Sequence, residues 1–215
     1  MKIVITGGTG FLGSRLTETL VEQGHEITLL SRSAPAFAAA LEKRSGKKVA
    51  GLAWDASKDA PPAEALKNVD AIIHLAGECW LDGRWNEEKK KQIRETRVAG
   101  TRSIVSALKE RKGRPVTLIV ASSEMIYGEQ GEKWITESFP AGDDFLAKVY
   151  ADTEREARQL PYGMGRLVLL RLGFLLGPQA AVFAHTAAFG GGGSAGKWAS
   201  WIALDDAVGD RKSVV

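Results

Sequence analysis

Thr6-Gly7-Gly8-Thr9-Gly10-Phe11-Leu12-Gly13 follows directly on the apolar run Ile3-Val4-Ile5 and leads directly into an amphipathic segment. The run over residues 2–6 reads as a buried strand, and Phe11, Leu12, Leu16, Leu20 and Val21 recur at helical spacing. Gly24 is expected to close that helix. Glycines spaced in this way between a first strand and a first helix form a dinucleotide-binding fingerprint. Gly10 lets the backbone approach a pyrophosphate, and Gly13 lets the helix lie close to the sheet. The helix N-terminus adds free N–H groups and a partial positive charge. Thr6, Gly7, Gly8, Thr9, Gly10, Phe11, Leu12 and Gly13 are therefore candidate cofactor-binding residues.

Outward from this turn, strands are predicted over residues 26–30, 49–54, 70–75, 116–121 and 167–172. Helices are predicted over 35–44, 86–112 and 143–159. Strands alternating with helices imply an α/β chain: a doubly wound parallel sheet in three αβα layers, the Rossmann arrangement. The 215 residues suit one sizeable domain. No internal repeat is visible, and the glycine run at 190–193 is expected to be a flexible loop.

With 44% hydrophobic and 26% charged residues, the composition excludes a disordered chain or a coiled coil. A net charge of +3 does not describe a dedicated nucleic-acid binder. The single Cys79 cannot form an internal disulfide, which suits a reducing compartment. No secretory leader is seen, and no apolar run approaches the ~20 residues of a membrane span. A cytoplasmic protein with a small-molecule substrate, no nucleic acid and no membrane partner is expected, with a homodimer left open. Residues 84–114 carry 11 Lys or Arg against 4 Asp or Glu. This basic stretch is a solvated helix face or a field for an anionic ligand, with nucleic acid a third choice.

The second strand ends at Ser31-Arg32-Ser33, where the ribose-binding residue is expected, ~20 residues past the fingerprint. An NAD site would carry a carboxylate there. An Arg suits a 2′-phosphate, so NADP(H) is expected rather than NAD(H), unless Arg32 is a surface residue without a ligand. Other motifs fail. The G-x-S-x-G letters at 192–196 lie in a glycine run with no His after Ser194. The G-x-x-x-x-G-K letters at 191–197 are followed by Trp198, where Ser or Thr is needed. His25, His74, His185 and Cys79 give no metal-ligand spacing, so no metal is expected. His74, inside an apolar strand, reads as a hydrogen-bonded core residue rather than a catalyst.

Together these residues resemble the extended short-chain dehydrogenase/reductase superfamily. Its T-G-x-x-G-x-x-G form is met by Gly7, Gly10 and Gly13. Leu75-Ala76-Gly77 resembles the segment along the cofactor's ribose and nicotinamide, and Asp55 the acid that meets the adenine amino group. The segment from Ala121 through Ser122 and Ser123 to Tyr127-Gly128 resembles the S-S-x-x-V-Y-G strand end. By that match Ser123 takes the catalytic hydroxyl's place and Ser122 lies along the cofactor. Arg171 to Pro178 resembles the segment closing the nicotinamide side. Leu75-Ala76-Gly77-Glu78, Gly83-Arg84-Trp85, Thr96-Arg97-Val98 and Gly100-Thr101-Arg102 narrow the match. Asp144-Phe145-Leu146-Ala147, Ser200-Trp201-Ile202 and Asp205-Asp206 fit the same subfamily. It is the NAD(P)-dependent epimerase subfamily sometimes mislabelled as cell-division inhibitor SulA.

The resemblance covers residues 1–209. It implies an NADP(H)-binding oxidoreductase or epimerase acting on a nucleotide-sugar-like or other carbonyl substrate. Arg97 is a candidate for the cofactor, and Glu78, Arg84 and Arg171 for the substrate, with surface salt bridges the alternative for Arg84 and Arg97. One departure matters. The superfamily's Y-x-x-x-K pair is absent, because Phe145 or Leu146 stands in the Tyr place and Val149 or Tyr150 in the Lys place. Tyr150 is a substitute acid or a residue packed on the helix face. The missing pair supports a second implication, a non-catalytic NADP-binding regulatory or redox-sensing protein. Members of the superfamily continue beyond the Asp205-Asp206 pair. Residues 1–209 are thus expected to be an NADP-binding Rossmann domain with the start of a substrate region. Residues 210–215 are expected to be a non-native tail in place of a C-terminal substrate domain.

Overall fold

The structure is a computed structural model that describes residues 1–178, 180 and 199–210. The glycine run at 190–193, both rejected glycine motifs, His185 and residues 211–215 of the expected tail lie outside the described residues.

Six strands form one parallel sheet: β1 (Lys2–Thr6), β2 (Glu26–Leu30), β3 (Ala50–Leu52), β4 (Ala71–His74), β5 (Val116–Ser123) and β6 (Gly165–Leu172). Their spatial order is β3-β2-β1-β4-β5-β6. Each pairing is parallel, with Ile5 opposite Leu29 on one side and Ile73 on the other. The chain therefore winds outward from β1 in both directions, and the order reverses between β1 and β4. In open sheets of this kind ligands bind beyond the strand C-termini at that reversal.

Strand alternation explains why both faces are covered. Ile3, Ile5, Ile27, Leu29, Ile73 and Ile119 face one layer, where they meet Leu16 and Leu20 of α1 (Phe11–Glu22) and Leu41 of α2 (Ala34–Ser45). Val4, Leu30, Ile72, Leu118 and Val120 face the other. That layer holds Ile104, Val105 and Leu108 of the helix before β5 and Ala157 of the helix after it. Neither face is left for water, as parallel sheets require.

The segment expected as one helix over 86–112 has a break in its middle. It comprises α3 (Glu87–Arg94), a π turn (Glu95–Ala99) and α4 (Gly100–Glu110). Its start is fixed by Asn86, whose side-chain oxygen accepts the Lys89 N–H at 2.8 Å. The helix after β5 is α5 (Phe145–Ala157), capped by Asp144 accepting the Ala147 N–H at 2.9 Å. Part of the basic stretch is paired: Arg94 of α3 with Asp152, Arg102 of α4 with Glu156, and Arg114, just before β5, with Asp70. Two features lie beyond the expected pattern. β7 (Phe174–Leu176) and β8 (Trp201–Ala203) form a separate two-stranded parallel sheet. α6 (Leu204–Asp210) follows β8 and is tied to α1 by Arg15 Nε donating to Asp205 at 2.9 Å.

The approach of α1 to the sheet has a sharp mutational consequence. A Cβ on Gly13 would stand 2.2 Å from the Gly7 carbonyl oxygen, a backbone atom that cannot swing away. Gly13→Ala is expected to cost about 1–3 kcal/mol or more through overpacking, read as a lowered urea midpoint.

Candidate functional site

The turn after β1 is pressed against the segment after β4. Gly7 has φ +66, and a Cβ there would lie 2.8 Å from the Ala76 nitrogen and the Leu75 carbonyl carbon. A side chain at this point is excluded both by conformation and by space. Thr6 Oγ1 completes the seat, accepting the Ala76 N–H at 3.2 Å and meeting His74 Nδ1 at 2.6 Å. His74 is a buried, hydrogen-bonded residue with no access to the cleft. Burial, helped by the nearby Arg97 charge, lowers its pKa from 6.5 to about 4.

Beyond Gly7, the N-cap of α1 is Gly10, so no side chain caps the helix. A cleft of about 520 Å³ at this end of the helix is lined by Thr9, Gly10, Phe11, Ser14, Arg15 and Glu18, among others. An uncapped N-terminus of this kind suits an anion. At the end of β2, the Ser31 and Ser33 hydroxyls each lie 3.2 Å from Thr9 Oγ1. Arg32 between them is exposed and has no ion pair with any described residue. Asp55 lies after β3, where it accepts from the Ser57 hydroxyl at 2.6 Å and the Ser57 N–H at 3.0 Å. Those bonds hold its carboxyl below the usual range.

After β4, Glu78 is gripped on three sides. Its N–H donates to Thr96 Oγ1 at 3.0 Å, its carbonyl accepts from Arg97 Nη1 at 2.8 Å, and its carboxylate pairs with Lys89 at 2.7 Å. Its side chain is thus committed to the fold. The π turn is what puts the adjacent Thr96 and Arg97 on this one segment. Arg97 lies against Gly77 and 5.4 Å over the ring of Tyr150, with no carboxylate partner among the described residues. Arg84 is exposed in the loop before α3. Cys79 is half-buried, and burial raises its thiol pKa, so it is poorly suited to act as a nucleophile.

At the end of β5, two neighbouring serines have different fates. Ser122 donates to the buried carboxylate of Glu154 at 2.7 Å. Arg171 from β6 clasps the same carboxylate with Nε at 2.8 Å and Nη2 at 2.7 Å. Burial pushes the Glu154 carboxyl up, but the bonds from Arg171 and Ser122 outweigh it and hold it below the usual range. Arg171 Nη1 also reaches the Tyr127 hydroxyl at 2.6 Å. The Ser122 hydroxyl and the Arg171 charge are therefore spent inside the protein.

Ser123 instead donates to Glu124 at 2.6 Å and accepts the Met125 N–H at 3.2 Å. Glu124, inside the strand-end segment 121–128, is not among the residues the sequence singles out; its signal there is a carboxylate next to a hydroxyl in the turn that leaves a strand's C-terminus. Glu124 lines a cleft of about 1050 Å³ together with Tyr127, Trp134, Asp144, Arg171 and Phe174, among others. On α5, Tyr150 is buried while Lys148 is exposed. Among the described residues no cluster of His, Cys, Asp and Glu could hold a metal ion.

A family model described as the NAD dependent epimerase/dehydratase family matches residues 3–189. The epimerase family protein YfhF of Bacillus subtilis is 36% identical over 214 residues, covering 97% of this chain and 68% of its own length. An Arabidopsis thaliana chloroplastic homologue of epimerase family protein SDR39U1 is 30% identical, covering 97% of this chain and 60% of its own length. A crystal structure of human SDR39U1 (isoform 2) with NADPH superposes at a TM-score of 0.79 and 28% identity. It covers 99% of this chain and 69% of that one. The chain thus spans between three-fifths and seven-tenths of these relatives.

The buried His74 sets a pH limb on stability. Unfolded, it takes a proton near 6.5; folded, it stays neutral down to about 4. The unfolded chain therefore binds more protons in this window, and stability falls as pH drops through it, by on the order of 3 kcal/mol. Urea unfolding between pH 7.5 and 4.5 is expected to show that slope in the wild type and a flatter one in His74→Asn.

Proposed function

The chain belongs to the NAD dependent epimerase/dehydratase family, and on that premise we propose that it is an NADP(H)-binding oxidoreductase or epimerase of a small carbonyl or nucleotide-sugar-like substrate. One observation carries the cofactor assignment. The uncapped N-terminus of α1 stands beside an exposed Arg32 that no described carboxylate neutralises. The first suits a pyrophosphate, the second a 2′-phosphate.

The turn from Gly7 to Gly13 would hold the pyrophosphate on backbone N–H groups. Arg32, with the hydroxyls of Ser31 and Thr9, would hold the 2′-phosphate. Asp55 lies on the adenine side, and Leu75, Ala76 and Gly77 form the floor under the ribose, with Arg97 beside them. Ser122 would contribute through its backbone, its hydroxyl being bonded to Glu154. When bound, the cofactor supplies or accepts a hydride. The substrate would lie in the cleft above Ser123, with Arg84 free to meet an anionic group. Arg171 shapes the wall of that cleft with its charge already matched. A half-buried Cys79 without a disulfide partner fits a cytoplasmic setting. Among the described residues no helix is long and apolar enough to cross a membrane.

A second reading keeps the cofactor and drops the chemistry: an NADP-binding regulatory or redox-sensing protein. What favours it is α5, where no Tyr is paired with a Lys at the cleft. Ser123→Ala separates the two, because lost turnover with retained cofactor binding supports the enzyme.

Titration with NADPH and NADH, followed by nicotinamide fluorescence, checks the cofactor. NADPH is expected to bind at least about tenfold tighter. Arg32→Ala is expected to weaken NADPH by about 10- to 100-fold, the value of a charged hydrogen bond, and to leave NADH unchanged. Equal binding of the two would remove the 2′-phosphate site, and failure to bind either would remove the cofactor reading.

A further inference from the structure

We infer that Glu124 is the group that gives a proton to the substrate oxygen and takes it back, and that Ser123 is its positioning residue. The inference rests on the oxidoreductase reading and deepens it. Glu124 lies in the turn Glu124–Tyr127, at the C-terminal end of β5 and next to β4. It borders the larger cleft, whereas Ser123 is 8% exposed and lies behind it. Ser123 Oγ is pinned by the Met125 N–H and holds Glu124 Oε2 at 2.6 Å, so the carboxyl has a fixed orientation.

The other polar groups at this edge are occupied. The Tyr127 hydroxyl is held by Arg171, Tyr150 is buried under Arg97, Lys148 points into solvent, and His74 is bonded to Thr6 behind the turn. Glu154, Glu78, Asp152 and Glu156 are all ion-paired. Glu124 has no ion pair with a described residue. Facing the same cleft are Arg171 from β6, Asp144 from the start of α5, Tyr127 from its own turn, and Glu129, Glu132, Lys133 and Glu137 from the loop beyond. Arg171 is clasped by the Glu154 carboxylate, which it shares with Arg158. Burial pushes the Glu124 carboxyl up, and its bond with Ser123 opposes that. A carboxyl raised toward neutrality can both donate and accept a proton.

The step balances with NADPH, the cofactor of the proposed function, as its one reductant. As a carbonyl carbon receives the hydride that turns NADPH into NADP⁺, the C=O π pair moves onto oxygen and takes the Glu124 proton, leaving an alcohol and a carboxylate. Solvent then reprotonates the carboxylate. In the reverse direction Glu124 takes the alcohol proton as the hydride passes to NADP⁺.

The chain is labelled with ¹³C at its glutamate carboxyls, and the signal missing from Glu124→Gln is assigned to Glu124. Its midpoint is expected above those of the other glutamates, and higher again in Ser123→Ala, which loses the bond favouring the charged form. The second readout is NADPH oxidation with 9,10-phenanthrenequinone as the carbonyl probe. Glu124→Gln should lose about 100-fold or more, the typical worth of a general acid, with NADPH binding and thermal midpoint unchanged. Glu124→Asp should recover part of the rate. The wild-type rate should fall as pH rises through the Glu124 midpoint. Titration of Glu124 together with the other glutamates would overturn the inference. So would a Glu124→Gln rate within threefold of wild type, or a wild type that binds NADPH yet never reduces the quinone. Loss of NADPH binding in the wild type would instead fail the parent reading, and the inference with it.

Discussion

Everything at the C-terminal edge of the sheet depends on one close approach between backbones. The β1–α1 turn lies so near the start of α1 that Gly13 has no room for a methyl group beside the Gly7 carbonyl. The same turn lies so near the segment after β4 that Gly7 has none beside Ala76. These contacts bring α1's N-terminus down to the level of the strand ends, and Thr6 locks the arrangement by bonding both Ala76 and His74. Were the helix to stand off by the radius of a side chain, its N–H groups and the ends of β2, β4 and β5 would no longer border common space. Steric exclusion places the N-terminal end of the helix, and the apolar layers beneath only hold it there.

A second constraint is a buried charge. Glu154 is 3% exposed and carries Arg171, Arg158 and Ser122 on its two oxygens. It joins α5 to β5 and β6 at the same edge as the site. An ion pair this deep is costly to dismantle from one side, because the partner left behind remains charged and buried. That explains why a strand-end serine and an arginine, both of a type that binds ligands, are absorbed by the fold. It also leaves the neighbouring Ser123 free to bond Glu124, which borders the cleft.

How much of this was legible in the sequence follows from the range of the forces involved. The six sheet strands and most helices come from local apolar period and from glycine, and both can be read from the chain. The glycine turn is also local, so its position after β1 and before α1 was readable in full. The π turn was not, because Ile93, Ile104 and Leu108, spaced 11 and 4 apart, fit an uninterrupted helix. β7 and β8 are three residues each and pair across a long separation, so neither carries a period of its own. The roles of Ser122, Glu78 and Arg171 depend on partners 11 to 32 residues away. Residue type alone could not distinguish a group that meets a ligand from one that meets Glu154 or Lys89.

The same logic bears on the absent Tyr-Lys pair. α5 offers Tyr150 and Lys148 two residues apart, a spacing that sends the tyrosine inward and the lysine to solvent. Yet a cation still stands beside the segment after β4. Arg97 reaches it from the helix before β5 rather than the helix after it, and the π turn is the local distortion that directs it there. Its guanidinium is always charged, is fixed by the Glu78 carbonyl, and covers the face of Tyr150. A tyrosine under such a cation has its ring occupied and its side chain buried, so the charge does not make it a proton donor to the cleft. In the proposed chemistry, positive charge and proton handling, joined in one Tyr-Lys pair in the wider superfamily, would be carried on separate elements. The charge lies at the π turn, and a carboxyl and hydroxyl in contact lie at the end of β5.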